Sequence, residues 1–181
     1  MIPEWRDAGI PEGYGPCKLL YNPPSGMVIV ELRSTAEEFL PNRIYIRHKD
    51  QPRYRPLKAL QPMVSSEAVV TPLECPRLFY LSNKLSKRDQ HYAGEWEGLY
   101  SFDIQTGTSV QLASRDSLSL PPPYTEGWVN DIVSVSADAN QLYLRIGALR
   151  PEASAVDNQL VRMDMSTREI HFVSRLKGSF L

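Results

Sequence analysis

A pattern of short alternating segments recurs three times along the chain, and it constrains the fold more than any other feature. The segments Arg43–His48, Gly98–Ile104 and Gln159–Met165 each alternate apolar with polar residues and end in a polar turn. This period of two is typical of a half-buried β-strand. Another short run follows each segment, and a pair of runs joined by a tight turn precedes it. One unit therefore predicts a four-stranded antiparallel meander of about fifty to sixty residues.

The three units predict one all-β domain. They cover approximately residues 17–60, 67–114 and 128–176, so we expect the domain at 17–181, after an N-terminal arm at 1–16. A chain of 181 residues can bury a sizeable core without disulfide bonds. We therefore expect both cysteines, Cys17 and Cys75, to be free thiols, with one structural bridge between them as the alternative.

Short motifs in the second and third units point to a known kind of repeat. They lie in the segments LFYLSN, LYSFDIQTG, VSADANQLYL and LVRMDMSTR. These segments resemble the blades of TolB-type and WD-like β-propellers, in which a Ser-x-Asp turn precedes an apolar strand and an aspartate precedes a Thr-Gly turn. Asp103 and Asp164 hold equivalent positions, where a carboxylate can accept the amides of a turn. The first unit lacks these motifs, and the resemblance implies a fold without implying a ligand.

The number of units raises the question of how the fold is completed. Propellers normally close with four to eight blades, whereas this sequence provides three units, and an open stack leaves end faces and strand edges uncovered. Two chains could close a six-bladed ring as a homodimer. The N-terminal arm and the C-terminal segment 178–181 could cover the ends, or a protein partner could do so. A rearrangement into a sandwich or barrel would satisfy the same periodicity.

Composition argues against several classes of partner. Lys and Arg number 20 against 21 Asp and Glu, so the net charge of -1 provides no strong field for phosphates. The first residues include acids, bases and prolines instead of the apolar run of a signal peptide. No stretch is apolar for long enough to cross a bilayer. We expect a cytoplasmic protein with neither membrane nor nucleic acid as a partner.

The sequence contains no motif typical of an enzyme. It has no nucleophile elbow, phosphate-binding loop, dinucleotide fingerprint or zinc-type spacing of cysteine and histidine. The histidines His48, His91 and His171 are scattered over the three units. We therefore predict that the chain is not an enzyme and has no catalytic residue, bound metal or cofactor.

The loop lengths indicate where a binding site would lie. In each unit the first and third turns are tight, whereas the remaining connections are long and would emerge on one face. The connection at 83–97 is rich in the aromatic and charged residues that are typical of interfaces. Its candidate partner-binding residues are Arg88, His91, Tyr92, Glu95, Trp96 and Glu97.

A second candidate segment precedes the third unit. The three consecutive prolines at 121–123 favour a stiff, preorganised connection, which leads to Tyr124 and Trp128 as further partner-binding candidates. The alternative is that Trp96 and Trp128 fold back as covers over a blade edge.

The first unit combines basic and aromatic residues, which favours an anionic partner. Alternation places several of them on one face of a strand pair, and an acidic protein fits the balanced charge better than single-stranded nucleic acid does. The residues are Arg43, Tyr45, Arg47, Lys49, Arg53, Tyr54, Arg55 and Lys58.

These features lead to three functional hypotheses. The first is a non-catalytic module that binds another protein, such as a bacterial immunity or inhibitor protein that neutralises a toxin or enzyme by direct binding. The second is a propeller-like hydrolase or lyase with an acidic, metal-assisted loop site around Asp89, His91 and Glu95. The third is a structural subunit of a larger assembly.

Overall fold

Three antiparallel sheets make up the described part of the protein. The computed structural model describes residues 8–35, 42–57, 68–88, 91–114, 116–151 and 156–176, with the backbone alone at 83–88 and 91–96. Every regular element in these ranges is a β-strand, and none is a helix. Within these ranges the structure therefore contains no helix that is long and apolar enough to cross a membrane.

Each sheet is a meander whose strand order follows the sequence. The first contains β1 (Tyr14–Asn22), β2 (Met27–Ser34), β3 (Arg43–His48) and β4 (Arg55–Pro56). The second contains β5 (Val69–Val70), β6 (Arg77–Arg88), β7 (His91–Asp103) and β8 (Thr108–Ser114). The third contains β9 (Glu126–Val135), β10 (Gln141–Leu149), β11 (Asp157–Asp164) and β12 (Ile170–Arg175). Three blade-like antiparallel sheets confirm the predicted fold class.

The second sheet lies between the other two. Successive residues of β6 face opposite ways, so Leu78 and Tyr80 join the core shared with the first sheet, whereas Phe79 and Leu81 join the core shared with the third. Burial of each such side chain contributes about 1.5–3 kcal/mol. The first strands lie side by side, with β1 contacting β5 and β5 contacting β9. No described strand of the first sheet contacts one of the third, so the described strands form an open stack.

The N-terminal arm covers part of the outer face of the first sheet, meaning the face turned away from the second sheet. Ile10 packs there with Val30 and Leu32 of β2. The Tyr54 amide donates a hydrogen bond to the carbonyl of Ala8 at 2.8 Å. One of the predicted covers for an open end is therefore present, while the C-terminal segment 178–181 lies outside the described residues.

A buried asparagine joins the first two sheets. The side chain of Asn22, at the end of β1, is fully buried, and its Nδ2 donates to the carbonyls of Thr71 and Leu73, the latter at 2.9 Å. Its Oδ1 accepts the amide of Ser25 at 2.8 Å. The buried polar atoms are thus satisfied while they link the two sheets.

Candidate functional site

The described part of the segment predicted as a long loop at 83–97 forms a β-ribbon over 83–88 and 91–96. β5 pairs with β6 only at Leu78 and Phe79, and β8 pairs with β7 only from Gly98 to Asp103. Beyond these contacts β6 and β7 continue to pair with each other, from Asn83 opposite Trp96 to Arg88 opposite His91. Six further residue pairs extend about 20 Å at the usual rise of a strand. We call Asn83–Arg88 with His91–Trp96 the ribbon.

The ribbon contains five of the predicted partner-binding residues. The structure describes only the backbone of these residues, which gives their positions in the strand register. Lys87 is opposite Tyr92, and Lys84 is opposite Glu95. Because two strands that pair only with each other are marginally stable in water, the ribbon depends on the rest of β6 and β7, which anchor it in the second sheet. The five residues are Arg88, His91, Tyr92, Glu95 and Trp96.

Glu97 lies at the base of the ribbon. Its side chain is exposed, and Oε2 accepts a hydrogen bond from the hydroxyl of the buried Ser82 at 3.0 Å. The pairing of β6 with β7 shifts register between Ser82 and Asn83. Glu97 therefore places a carboxylate at the irregularity where the sheet becomes the ribbon.

Tyr124 is held by an ion cluster rather than left free. Its hydroxyl donates to Asp157 Oδ2 at 3.2 Å, and the guanidinium of Arg150 lies 5.6 Å from the ring centroid. Arg150 Nε and Arg175 Nη2 also donate to the Asp157 carboxylate. Desolvation alone would raise the pKa of Asp157, but the Tyr124 hydrogen bond and the two arginine charges outweigh it, so this pKa lies below its usual value. The cluster fixes the end of the proline segment.

Trp128 covers the third sheet. It lies on β9 directly opposite Gly147 of β10, and a Cβ at position 147 would approach the indole to 2.8 Å. The indole Nε1 donates to Asn130 Oδ1 at 2.7 Å. Trp128 is half-buried against Gly147, and its part in partner binding stays a prediction.

The base of the ribbon and Trp128 lie at the same end of the second and third sheets. β8 ends at Ser114, opposite Gly98 at the ribbon base. Residues just beyond Ser114 share a cleft of about 170 Å³ with the start of β9. All eight predicted residues therefore belong to elements that meet at this end, which we call the ribbon end. The cleft is lined by Asp116, Leu118, Thr125, Glu126, Gly127 and Trp128.

The contacts that hold Tyr124 were not apparent from the sequence. Asp157 is 33 positions from Tyr124, and only the pairing of β10 with β11 brings Ala148, and hence Arg150, close to Asp157. No short motif encodes this cluster, and a signal would require knowledge of strand register.

The acidic site proposed for the enzyme hypothesis falls on residues whose side chains are not described. Asp89 lies outside the described residues, and His91 and Glu95 are described by backbone alone. Elsewhere His48 Nδ1 lies 3.1 Å from Asp50, and His171 is near Glu169. Among the described side chains, no group of three or more His, Cys, Asp or Glu residues could hold a metal ion. Both cysteines are free and exposed.

Comparison with known proteins supports the fold. No protein-family model matches the sequence, and no curated protein is a significant match. Among solved structures, an oligogalacturonate lyase in complex with manganese is similar over 86% of this chain and 38% of its own, with 13% identity and a TM-score of 0.54. A protein described as TolB from Agrobacterium tumefaciens matches over 92% of this chain and 65% of its own, with 14% identity and a TM-score of 0.36. The chain thus spans about two fifths of the lyase, and its sheets are of the β-propeller blade kind.

Proposed function

We propose that the chain is a non-catalytic protein-binding module whose contact surface is the ribbon end. The observation that carries this proposal is the extension of β6 and β7 beyond both neighbouring strands. Over that length no described strand pairs with the outer edge of either one. A strand edge with unpaired amides and carbonyls can accept a strand from another protein.

The composition of the ribbon supports the same function. Tyr92 and Trp96 on β7 belong to the residue types that dominate interface energetics. Lys84, Lys87 and Arg88 on β6 provide charge that can direct a partner's orientation and discourage random edge pairing. An extended arm that combines aromatic and basic residues is suited to insertion into a concave surface of a partner.

Within this function we propose a bacterial immunity or inhibitor protein that acts in the cytoplasm. The partner would be a toxin or enzyme whose cleft accepts the ribbon. The resemblance of the second and third units to TolB-type and WD-like blades supports a scaffold role, because such blades commonly present variable connections on a rigid frame.

Shortening the ribbon tests the proposal. Replacing residues 84–95 by an Asn-Gly turn joins Asn83 to Trp96, which already face each other. The fold should persist, because the removed residues pair only with one another. Proteins captured from bacterial lysate by the full chain would be identified, purified and titrated by calorimetry. We expect a one-to-one complex with the full chain and a loss of at least about a hundredfold in affinity with the shortened chain, or about 2.7 kcal/mol.

A matched surface change and a metal titration complete the experiment. Val110→Ser alters an exposed side chain on β8, away from the ribbon, and should leave the affinity unchanged. Equal binding by the full and shortened chains would contradict the proposal. The lyase hypothesis predicts instead that manganese binds stoichiometrically and that Asp89→Asn or His91→Ala abolishes this binding.

A further inference from the structure

The outer face of the first sheet carries two arginines that point away from the second sheet. Arg43 pairs with Leu32, and Tyr45 pairs with Val30. Leu32, Val30 and Tyr45 all belong to the cluster on the outer face. Because alternate residues of a strand share a face, Arg43 and Arg47 lie on the same side as Tyr45.

Both guanidinium groups are stacked on tyrosine rings. Arg43 Cζ lies 4.3 Å from the ring centroid of Tyr14, and Arg47 Cζ lies 5.0 Å from that of Tyr54. Arg47 Nη1 also donates to the carbonyl of Gln51 at 3.2 Å. Stacking restricts the long side chains before any partner arrives, which lowers the entropic cost of binding.

Neither arginine has an acidic partner within the described residues. The ion pairs there join other residues, and Asp50, the carboxylate closest in sequence to Arg47, lies beside His48. Glu37 and Glu38, the closest in sequence to Arg43, lie outside the described residues. A guanidinium with free N–H groups recognises a carboxylate through two parallel hydrogen bonds. The pair of stacked arginines is therefore suited to an acidic ligand.

An apolar strip lies on the same face. Leu19 and Tyr21 of β1 are 63% and 52% exposed. They pair with Val30 and Val28, and Val28 in turn pairs with Arg47. Exposed apolar side chains bordered by arginine are typical of protein interfaces. We call Leu19, Tyr21, Arg43 and Arg47 the arginine face.

We propose that the arginine face binds an acidic protein surface in which carboxylates surround an apolar side chain. Nucleic acid fits less well, because single strands stack successive bases on several rings, whereas Tyr14 and Tyr45 are buried, Tyr54 is covered by Arg47, and of the tyrosines described on this face Tyr21 alone is exposed. The side chain of Leu19 has no donor or acceptor that could form a hydrogen bond with a base edge. Of the basic and aromatic residues of the first unit, Arg43, Tyr45 and Arg47 share this face, whereas Arg55 pairs with Ile46 on the opposite face, and Lys58 lies outside the described residues.

A second copy of the chain is a poor occupant. If two chains closed head to tail, the outer face of the third sheet of one chain would meet the arginine face of the other. On that outer face, Arg145 pairs with Leu160 and Arg162 pairs with Tyr143. Asp131 on that face is already 3.6 Å from Arg145. Closure would therefore bring arginines toward arginines, which is unfavourable. A different, acidic protein fits the arginine face better.

Synthetic acidic polypeptides provide the probe. The inference rests on the proposed protein-binding function but uses a separate surface, so the ribbon-shortened chain should bind poly-glutamate like the full chain. We expect Arg43→Gln with Arg47→Gln to weaken binding of poly-glutamate, measured by calorimetry at low ionic strength, by at least about tenfold. The matched control, Arg77→Gln with Arg168→Gln, removes two exposed charges elsewhere and should change affinity by less than about twofold.

A second probe separates a protein interface from simple charge attraction. A random copolymer of glutamate and tyrosine should bind more tightly than poly-glutamate, and Leu19→Ser should remove that gain without weakening poly-glutamate binding. The inference would be overturned if poly-glutamate did not bind, or if both double arginine variants lost the same affinity for it. Tighter binding of oligothymidylate than of poly-glutamate to the arginine face would also overturn it. Circular dichroism would verify that each variant is folded.

Discussion

Equivalent aspartates fix the same turn in two of the sheets. Oδ1 of Asp103 and of Asp164 each accepts the backbone amides two and three residues further along the chain. The amide of Thr106 is the main cause of the lowered pKa of Asp103. The Ser166 hydroxyl is the main cause for Asp164, whose pKa falls to about 2. These contacts confirm the structural role that repetition in the sequence predicted.

A buried carboxylate gives the stability of the protein an unusual dependence on pH. Glu31 of β2 is fully buried. Its Oε1 accepts a hydrogen bond from Asn42 Nδ2 at 2.7 Å, while Oε2 has no partner within the described residues. Burial raises the pKa of Glu31 above its usual value. The folded state therefore binds a proton more readily than the unfolded state does. The resulting contribution to stability is fully present below the unfolded pKa of Glu31 and is lost as the pH rises through its folded pKa.

Replacing this carboxylate should stabilise the protein at neutral pH. Glu31→Gln keeps an oxygen acceptor for Asn42 and removes the cost of burying a charge. We expect a higher free energy of unfolding in urea at neutral pH and a shrinking advantage in mild acid, where the wild-type carboxyl becomes protonated. Glu97→Gln, at an exposed position, serves as the control and should show no such trend. Destabilisation by Glu31→Gln at neutral pH would show that the charged form is needed.

At the scale of strands and sheets, alternation predicted most of the fold. β10 and β11 have buried residues at alternate positions over most of their length, and this burial is what produces a period of two in the sequence. In β3 three consecutive residues are buried, because clusters cover both of its faces. The ribbon was missed because Gly94 and several charged residues interrupt any apolar pattern. The candidate residue types were visible in the sequence, whereas the contact of Trp128 with Gly147 depends on strand register.

The packing between the second and third sheets is open to a direct test. Leu144 of β10 is fully buried in their shared core, so Leu144→Ala should lower the free energy of unfolding by about 2–5 kcal/mol. Val133→Ala on the neighbouring β9 removes apolar atoms from a side chain that is 51% exposed. This substitution should change the free energy of unfolding by less than about 0.5 kcal/mol. Equal effects in urea unfolding would show that Leu144 does not lie between packed sheets.

At the scale of the whole molecule, the two ends of the stack differ. The outer face of the first sheet is partly covered by Ile10 and presents the arginine face beside that cover. No described strand packs on the outer face of the third sheet. The two end faces are unlike each other and have no complementary charge, so they do not favour closure of the stack with a second copy of the chain. The open stack and the ribbon both suit binding to a different protein.

The solution mass of the purified chain tests this account most directly. Light scattering should give a monomer near 20.5 kDa over a wide range of concentration, because the end faces are not complementary to each other. A stable dimer of twice that mass would show that two chains complete the propeller, and would contradict an open stack that presents its ends to another protein.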